Sequence, residues 1–178
     1  MTNIMMVDLE TLDTKVTALV LSIGYCIFDK DAVDPTFTTG KKNLQIVNQA
    51  GSLSDSTFRW WLQQSEEARK SLCEGSVTHV VSALNWLNEA YYTAQAQEIW
   101  SYGASFDIAI LEHMYDKYSC IVPWSYRSSR CFRTIRELYP DVAAPEFKGA
   151  QHDAEADALH QAKHLWKILN FLRSGVVM

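Results

Sequence analysis

The 178-residue sequence has no CxxC pair. Its four cysteines, Cys26, Cys73, Cys120 and Cys131, are scattered, which favours reduced thiols in a cytosolic compartment. It shows no basic region followed by an apolar run and a cleavage site near its start. Long hydrophobic runs are missing too. The most apolar stretch, residues 18–28, is broken by Ser22 and Gly24 and falls well short of the roughly 20 residues that cross a bilayer. A soluble, cytoplasmic protein without a membrane partner is expected. Positive charge is also scarce: 16 Lys and Arg stand against 21 Asp and Glu, a net charge of -5. That excludes coating of duplex nucleic acid by a bulk positive field, so any phosphate contact must be local and helped by bound divalent cations.

What is present suffices for one sizeable core. With 48% hydrophobic and 21% charged residues, the chain is expected to form a single domain over residues 1–178. The first third reads as strands: 4–10, 17–28 and one between Phe37 and Val47, joined by linkers short enough for an antiparallel meander. From Ser54 the periodicity becomes helical. Ser54 or Asp55 caps a segment holding Phe58, Trp61 and Leu62, and Ser65 opens another short turn. Residues 76–92 read as an amphipathic helix with Val77, Val80, Leu84, Leu87 and Tyr91 on one stripe. A buried strand at 98–102 turns through Gly103 to Ser105 into a helix at about 106–118. A short helix at 131–138 ends before Pro140, and a long helix fills 153–172. The pattern predicts an α/β domain with a mixed sheet.

Three motifs carry chemistry. In Met5-Met6-Val7-Asp8-Leu9-Glu10-Thr11, residues two apart on a strand share a face, so Asp8 and Glu10 project together. Such a pair repels unless a cation lies between, and hard oxygen ligands suit Mg²⁺ or Mn²⁺; an acidic strand end facing water is the plainer alternative. Asp107 heads an apolar stripe of Leu111, Met114 and Tyr118 in the first turn after a strand, where the helix dipole alone also explains it. In His152-Asp153-Ala154-Glu155-Ala156-Asp157-Ala158, Asp153 can cap the last helix. His152 then lies in the loop before it and Asp157 on the second turn, while the alanines permit close approach to the sheet; a solvated acidic helix start is the alternative.

The ordered set Asp8-x-Glu10, Asp107 and His152-x-x-x-x-Asp157 resembles the DEDDh exonuclease superfamily, and the likeness runs from end to end. Two stretches, Thr57-Phe58-Arg59-Trp60-Trp61-Leu62-Gln63-Gln64-Ser65 and Trp100-Ser101-Tyr102-Gly103-Ala104-Ser105-Phe106-Asp107, are similar to a branch holding phage exonuclease A-type enzymes and a mycobacterial 3′ to 5′ exoribonuclease. Cys131 departs from it, standing where relatives often carry Asp before Arg133-Thr134. The resemblance implies a ribonuclease H-like fold with helices on both faces and 3′ to 5′ hydrolysis of single-stranded DNA or RNA ends to nucleoside 5′-monophosphates. It also implies two Mg²⁺ or Mn²⁺ ions held by Asp8, Glu10, Asp107 and Asp157, with His152 as general base. A homodimer is a further implication of the resemblance; the apolar face of 76–92 itself can pack either internally or on a second copy.

Candidate substrate contacts are Thr11, Trp61, Phe106, Arg130 and Arg133. Arg127, Arg130, Arg133 and Arg136 fall within ten residues and read equally as a phosphate contact or a solvated helix face. Of Trp60 and Trp61, about 100° apart on a helix, at most one is expected to reach the site. Two other readings stand beside the exonuclease. One is a haloacid-dehalogenase-like phosphatase, which wants a second Asp where Glu10 stands; the other is a ribonuclease H-like module that binds without cutting.

Overall fold

The computed structural model describes residues 2–175. Five strands, β1 (Asn3–Thr11), β2 (Val20–Asp29), β3 (Thr38–Asn43), β4 (Glu98–Ser101) and β5 (Ser129–Cys131), form one mixed sheet in the order β3-β2-β1-β4-β5. β1, β2 and β3 make the expected antiparallel meander, and β4 adds parallel to β1 on its other side. The helices are α1 (Asp55–Leu62), α2 (Glu66–Ser71), α3 (Val80–Thr93), α4 (Asp107–Lys117), α5 (Phe132–Leu138) and α6 (Ala154–Arg173).

Strand parity sorts the core into two layers. Odd positions of β1, Met5, Val7 and Leu9, pack with Leu84 and Leu87 of α3 and Ile108 and Leu111 of α4. Even positions Ile4 and Met6 pack with Ala158, Ala162, Leu165 and Ile168 of α6 and Phe132 of α5. Helices therefore cover both faces of a ribonuclease H-like sheet. Asp8 and Glu10 continue the even row past its apolar part, so they face α6. A smaller cluster of Leu12, Leu19, Leu21, Trp61 and Ala68 ties α1 and α2 to the loop after β1.

Several boundaries differ from the sequence expectation. The helix read at 76–92 begins only at Val80. Thr78 is bonded to the sheet edge at Asn43 and Gln45, His79 caps the helix through Val81 N–H, and Val77 is exposed. β2 begins at Val20, because Thr17 to Leu19 is engaged with the segment around Ser52. The stretch read as a helix from Cys131 starts instead with a short edge strand, β5 (Ser129–Cys131), parallel to β4. Arg130 therefore lies on a strand and only Arg133 and Arg136 on α5. Cys131 is the residue before α5 and makes no side-chain cap bond, a contact a carboxylate would supply.

Candidate active site

Two parallel strands end side by side here, and their carboxyl ends carry the acidic groups. β1 delivers Asp8 and Glu10; the turn after β4 delivers Asp107, whose Oδ1 accepts the Leu9 N–H at 3.2 Å. Asp107 and Glu10 are buried, at 5% and 7% exposure. A carboxylate that deep in an otherwise apolar layer is costly unless it is bonded or paired. α6 completes the set. Asp153 caps it, accepting from Glu155 and Ala156 N–H, and Asp157 on the next turn accepts the backbone N–H of His152 at 2.9 Å. His152 has φ +63°, a left-handed conformation uncommon outside glycine and held here by that bond.

The approach of α6 depends on Gly24, which pairs with Asp8 across the β1–β2 ladder. A Cβ at Gly24 would lie 2.2 Å from the Ala154 carbonyl carbon and oxygen and 2.5 Å from the Glu155 nitrogen. The start of α6 thus occupies the space of the missing side chain. Ala154, Ala158 and Ala162, spaced by four, are fully buried against the sheet and extend the close contact.

Asp8, Glu10, Asp107, His152 and Asp157 line one cavity of about 280 Å³, together with Tyr102, Arg133 and Gln161. Ligand atoms of Glu10, His152 and Asp157 lie within 4.8 Å of one another. Gln161, one turn beyond Asp157, donates to Asp8 Oδ1 at 2.8 Å. Nothing in the sequence marks Gln161 as a site residue, because only the fold brings it to Asp8. The His152 ring meets Trp60 edge-on at 4.8 Å between centroids and Trp61 at 6.3 Å.

Without a cation the carboxylates repel. Burial, then Asp107, Glu10 and Asp157, holds Asp8 well above the usual range, while the Gln161 bond opposes the shift. Burial, then Asp157 and Asp107, pushes Glu10 up to about 8; burial pushes Asp107 up to about 6 against the opposing Leu9 N–H bond; burial also raises Asp157. All-oxygen donors that hold protons against their own repulsion are the donor set a hard divalent cation fits.

The linkage has a definite sign. Groups whose folded pKa is raised stabilise the fold below their unfolded pKa values, near 4, and that stability is lost as pH rises through about 6 and 8. In EDTA the melting temperature should fall between pH 5 and 8.5, and Mn²⁺ should raise it more at pH 8.5 than at pH 5. Equal Mn²⁺ stabilisation at both values would contradict a carboxylate-held cation.

The candidate contacts separate. A neighbouring cavity of about 450 Å³ is lined by Leu9, Glu10, Thr11, Trp60, Trp61 and Phe106. Trp61 is a buried wall at 5% exposure, donating its indole N–H to the Thr11 carbonyl at 2.9 Å, whereas Trp60 is 40% exposed at the rim. The Thr11 hydroxyl is spent on the Asp13 carbonyl. Arg133 reaches the carboxylate cavity; Arg130 bonds to the carbonyls of Arg127 and Ser129 and lines neither cavity.

The mixed sheet with helices on both faces is a ribonuclease H-like fold, and the acidic groups converging at the ends of its parallel strands form a donor set that suits a divalent cation. The chain belongs to the 3'-5' exoribonuclease Rv2179c-like domain family, whose model matches residues 3–169. It is an exonuclease, a hydrolase that acts on nucleic acid. No curated protein sequence matches it significantly. The four cysteines are free, and no helix among the described residues is long and apolar enough to cross a membrane.

Proposed function

We propose that the chain acts as a single exonuclease domain that removes nucleotides one at a time from the 3′ end of single-stranded RNA, releasing nucleoside 5′-monophosphates. The carrying observation is the convergence of four carboxylates on one cavity whose lining has only Arg133 and His152 as basic groups. In this reading Asp8, Glu10, Asp107 and Asp157 hold two divalent cations, Mg²⁺ or Mn²⁺. When bound, these supply charge for activating water and for stabilising the leaving 3′ oxygen of an in-line displacement.

The protein's own groups divide the remaining work. His152 takes the proton of the attacking water, a role suited to imidazole, the side chain most often used as a general base near neutral pH. Its backbone is tied to Asp157 while its ring rests against Trp60, so the imidazole is placed without being a rigid part of the sheet. Gln161 orients Asp8. Water oxygen bonds to phosphorus, the P–O3′ bond breaks, and the phosphate leaves on the 5′ position of the released nucleotide. The terminal nucleoside sits in the 450 Å³ cavity between Trp60 and Phe106, with Leu9, Thr11 and Trp61 as its wall. Stacking there favours any base.

The family match favours this reading over a phosphatase or a non-cutting module. The product tests it: chromatography of a Mn²⁺ digest of single-stranded RNA should show nucleoside 5′-monophosphates. Nucleoside 3′-phosphates, or inorganic phosphate alone, would refute it.

A further inference from the structure

We propose that Tyr102, with the guanidinium groups of Arg133 and Arg136 against its ring, forms a subsite for the substrate phosphate one nucleotide upstream of the scissile bond. This rests on the reading that the carboxylate cavity is where the bond is cut.

Three cavities lie in sequence along the protein. The cavity assigned to the terminal nucleoside shares Leu9, Glu10 and Phe106 with the carboxylate cavity. The carboxylate cavity in turn shares Tyr102, Asp157 and Gln161 with a third, of about 240 Å³, lined also by Arg136, His160 and His164. The first and third share no residue. A chain threading the central cavity therefore passes from an aromatic compartment, across the carboxylates, to one that presents the Arg136 guanidinium. Base and sugar match the first; a phosphodiester matches the third.

Tyr102 stands where the second and third cavities meet. Arg133 lies 4.9 Å and Arg136 5.7 Å from its ring centroid, and Arg136 Nη1 donates to the Tyr102 hydroxyl. Contact with the ring holds a guanidinium in place without neutralising it, and leaves further N–H groups for contact with phosphate oxygens. Neither arginine has a carboxylate partner among the described residues, although every ion pair found there draws on the plentiful acidic groups of the chain. Two unpaired, oriented cations beside a nuclease site, in a protein of net charge -5, are placed to receive an anion. Arg130, bonded to the Arg127 and Ser129 carbonyls, is not part of this cluster.

The test compares a dinucleoside monophosphate, which has no upstream phosphate, with a trinucleotide, both in Mn²⁺. Wild type should prefer the trinucleotide. Arg136→Gln, exposed and outside the core, should lower the trinucleotide-to-dinucleotide ratio of kcat/KM about ten-fold, mainly through KM. It should also reduce the log-log salt slope of oligonucleotide binding by about 0.7, the share of one phosphate on a single strand. Tyr102→Leu should shift the ratio in the same direction, and Arg136→Lys should restore it only partly, since charge returns without the fork. An unchanged ratio in Arg136→Gln, or a wild type indifferent to the upstream phosphate, overturns the subsite. Failure of the underlying reading looks different: wild-type cleavage of both substrates would persist in EDTA and in Asp8→Asn.

Discussion

Replacing His152 with alanine is expected to lower kcat by roughly 10² to 10⁴, the usual worth of a positioned general base, while Mn²⁺ affinity stays nearly unchanged. Two facts make the second half of that statement informative. The His152 ring is held edge-on against Trp60, which suits a base positioned to approach a bound water. Its nitrogen also comes within 4.8 Å of ligand atoms of Glu10 and Asp157, a spacing compatible with direct coordination. A calorimetric Mn²⁺ titration of His152→Ala separates the two. Preserved affinity with a crippled rate assigns the imidazole to proton transfer, whereas affinity lost in parallel with rate would make it a ligand. Turnover equal to wild type would remove it from the mechanism.

Gly24→Ala should be nearly as damaging, although the residue carries no chemistry. The new Cβ would sit 2.2 Å from backbone atoms of Ala154, which cannot rotate away as a side-chain tip can. Either α6 lifts from β2 or the sheet yields, and overpacking of this kind costs about 1–3 kcal/mol. Because α6 also carries Asp157 and Gln161, a displacement of roughly 1 Å is enough to cost on the order of 10² in rate. The expected result is a folded protein with a lowered melting temperature, weakened Mn²⁺ binding and a large loss of activity. Wild-type activity in Gly24→Ala would show that the close contact does not set the site.

That Asp8, Glu10, Asp107, His152 and Asp157 come to one cavity was readable because each placement depends on local geometry. Period two on β1 puts Asp8 with Glu10, a strand-to-helix turn places Asp107, and capping by Asp153 fixes where His152 and Asp157 stand. Residues whose roles depend on a partner far along the chain stayed hidden. Gly24 reads only as an interruption of an apolar run until Ala154 is seen in its space, and Gln161 only as a polar helix position until it meets Asp8. The late start of α3 has the same origin, since bonds from Thr78 to Asn43 and Gln45 override the helical periodicity of Val77. β5 was missed because a three-residue edge strand has too little pattern to register, and with it the place of Arg130. The choice between the two tryptophans turned on burial: Trp61 is locked to Thr11, leaving Trp60 as the accessible ring.

Metal-dependent removal of nucleotides from a 3′ end is the activity expected of the carboxylate cluster. Its most direct test is digestion of matched 5′-labelled single-stranded RNA and DNA with Mg²⁺, Mn²⁺ or EDTA, beside the Asp8→Ala protein. The expected result is an RNA ladder that shortens from the 3′ end with either metal, vanishes in EDTA and is absent in Asp8→Ala. Cleavage that survives EDTA or the loss of Asp8, or label released at once as a mononucleotide from the 5′ end, would contradict it.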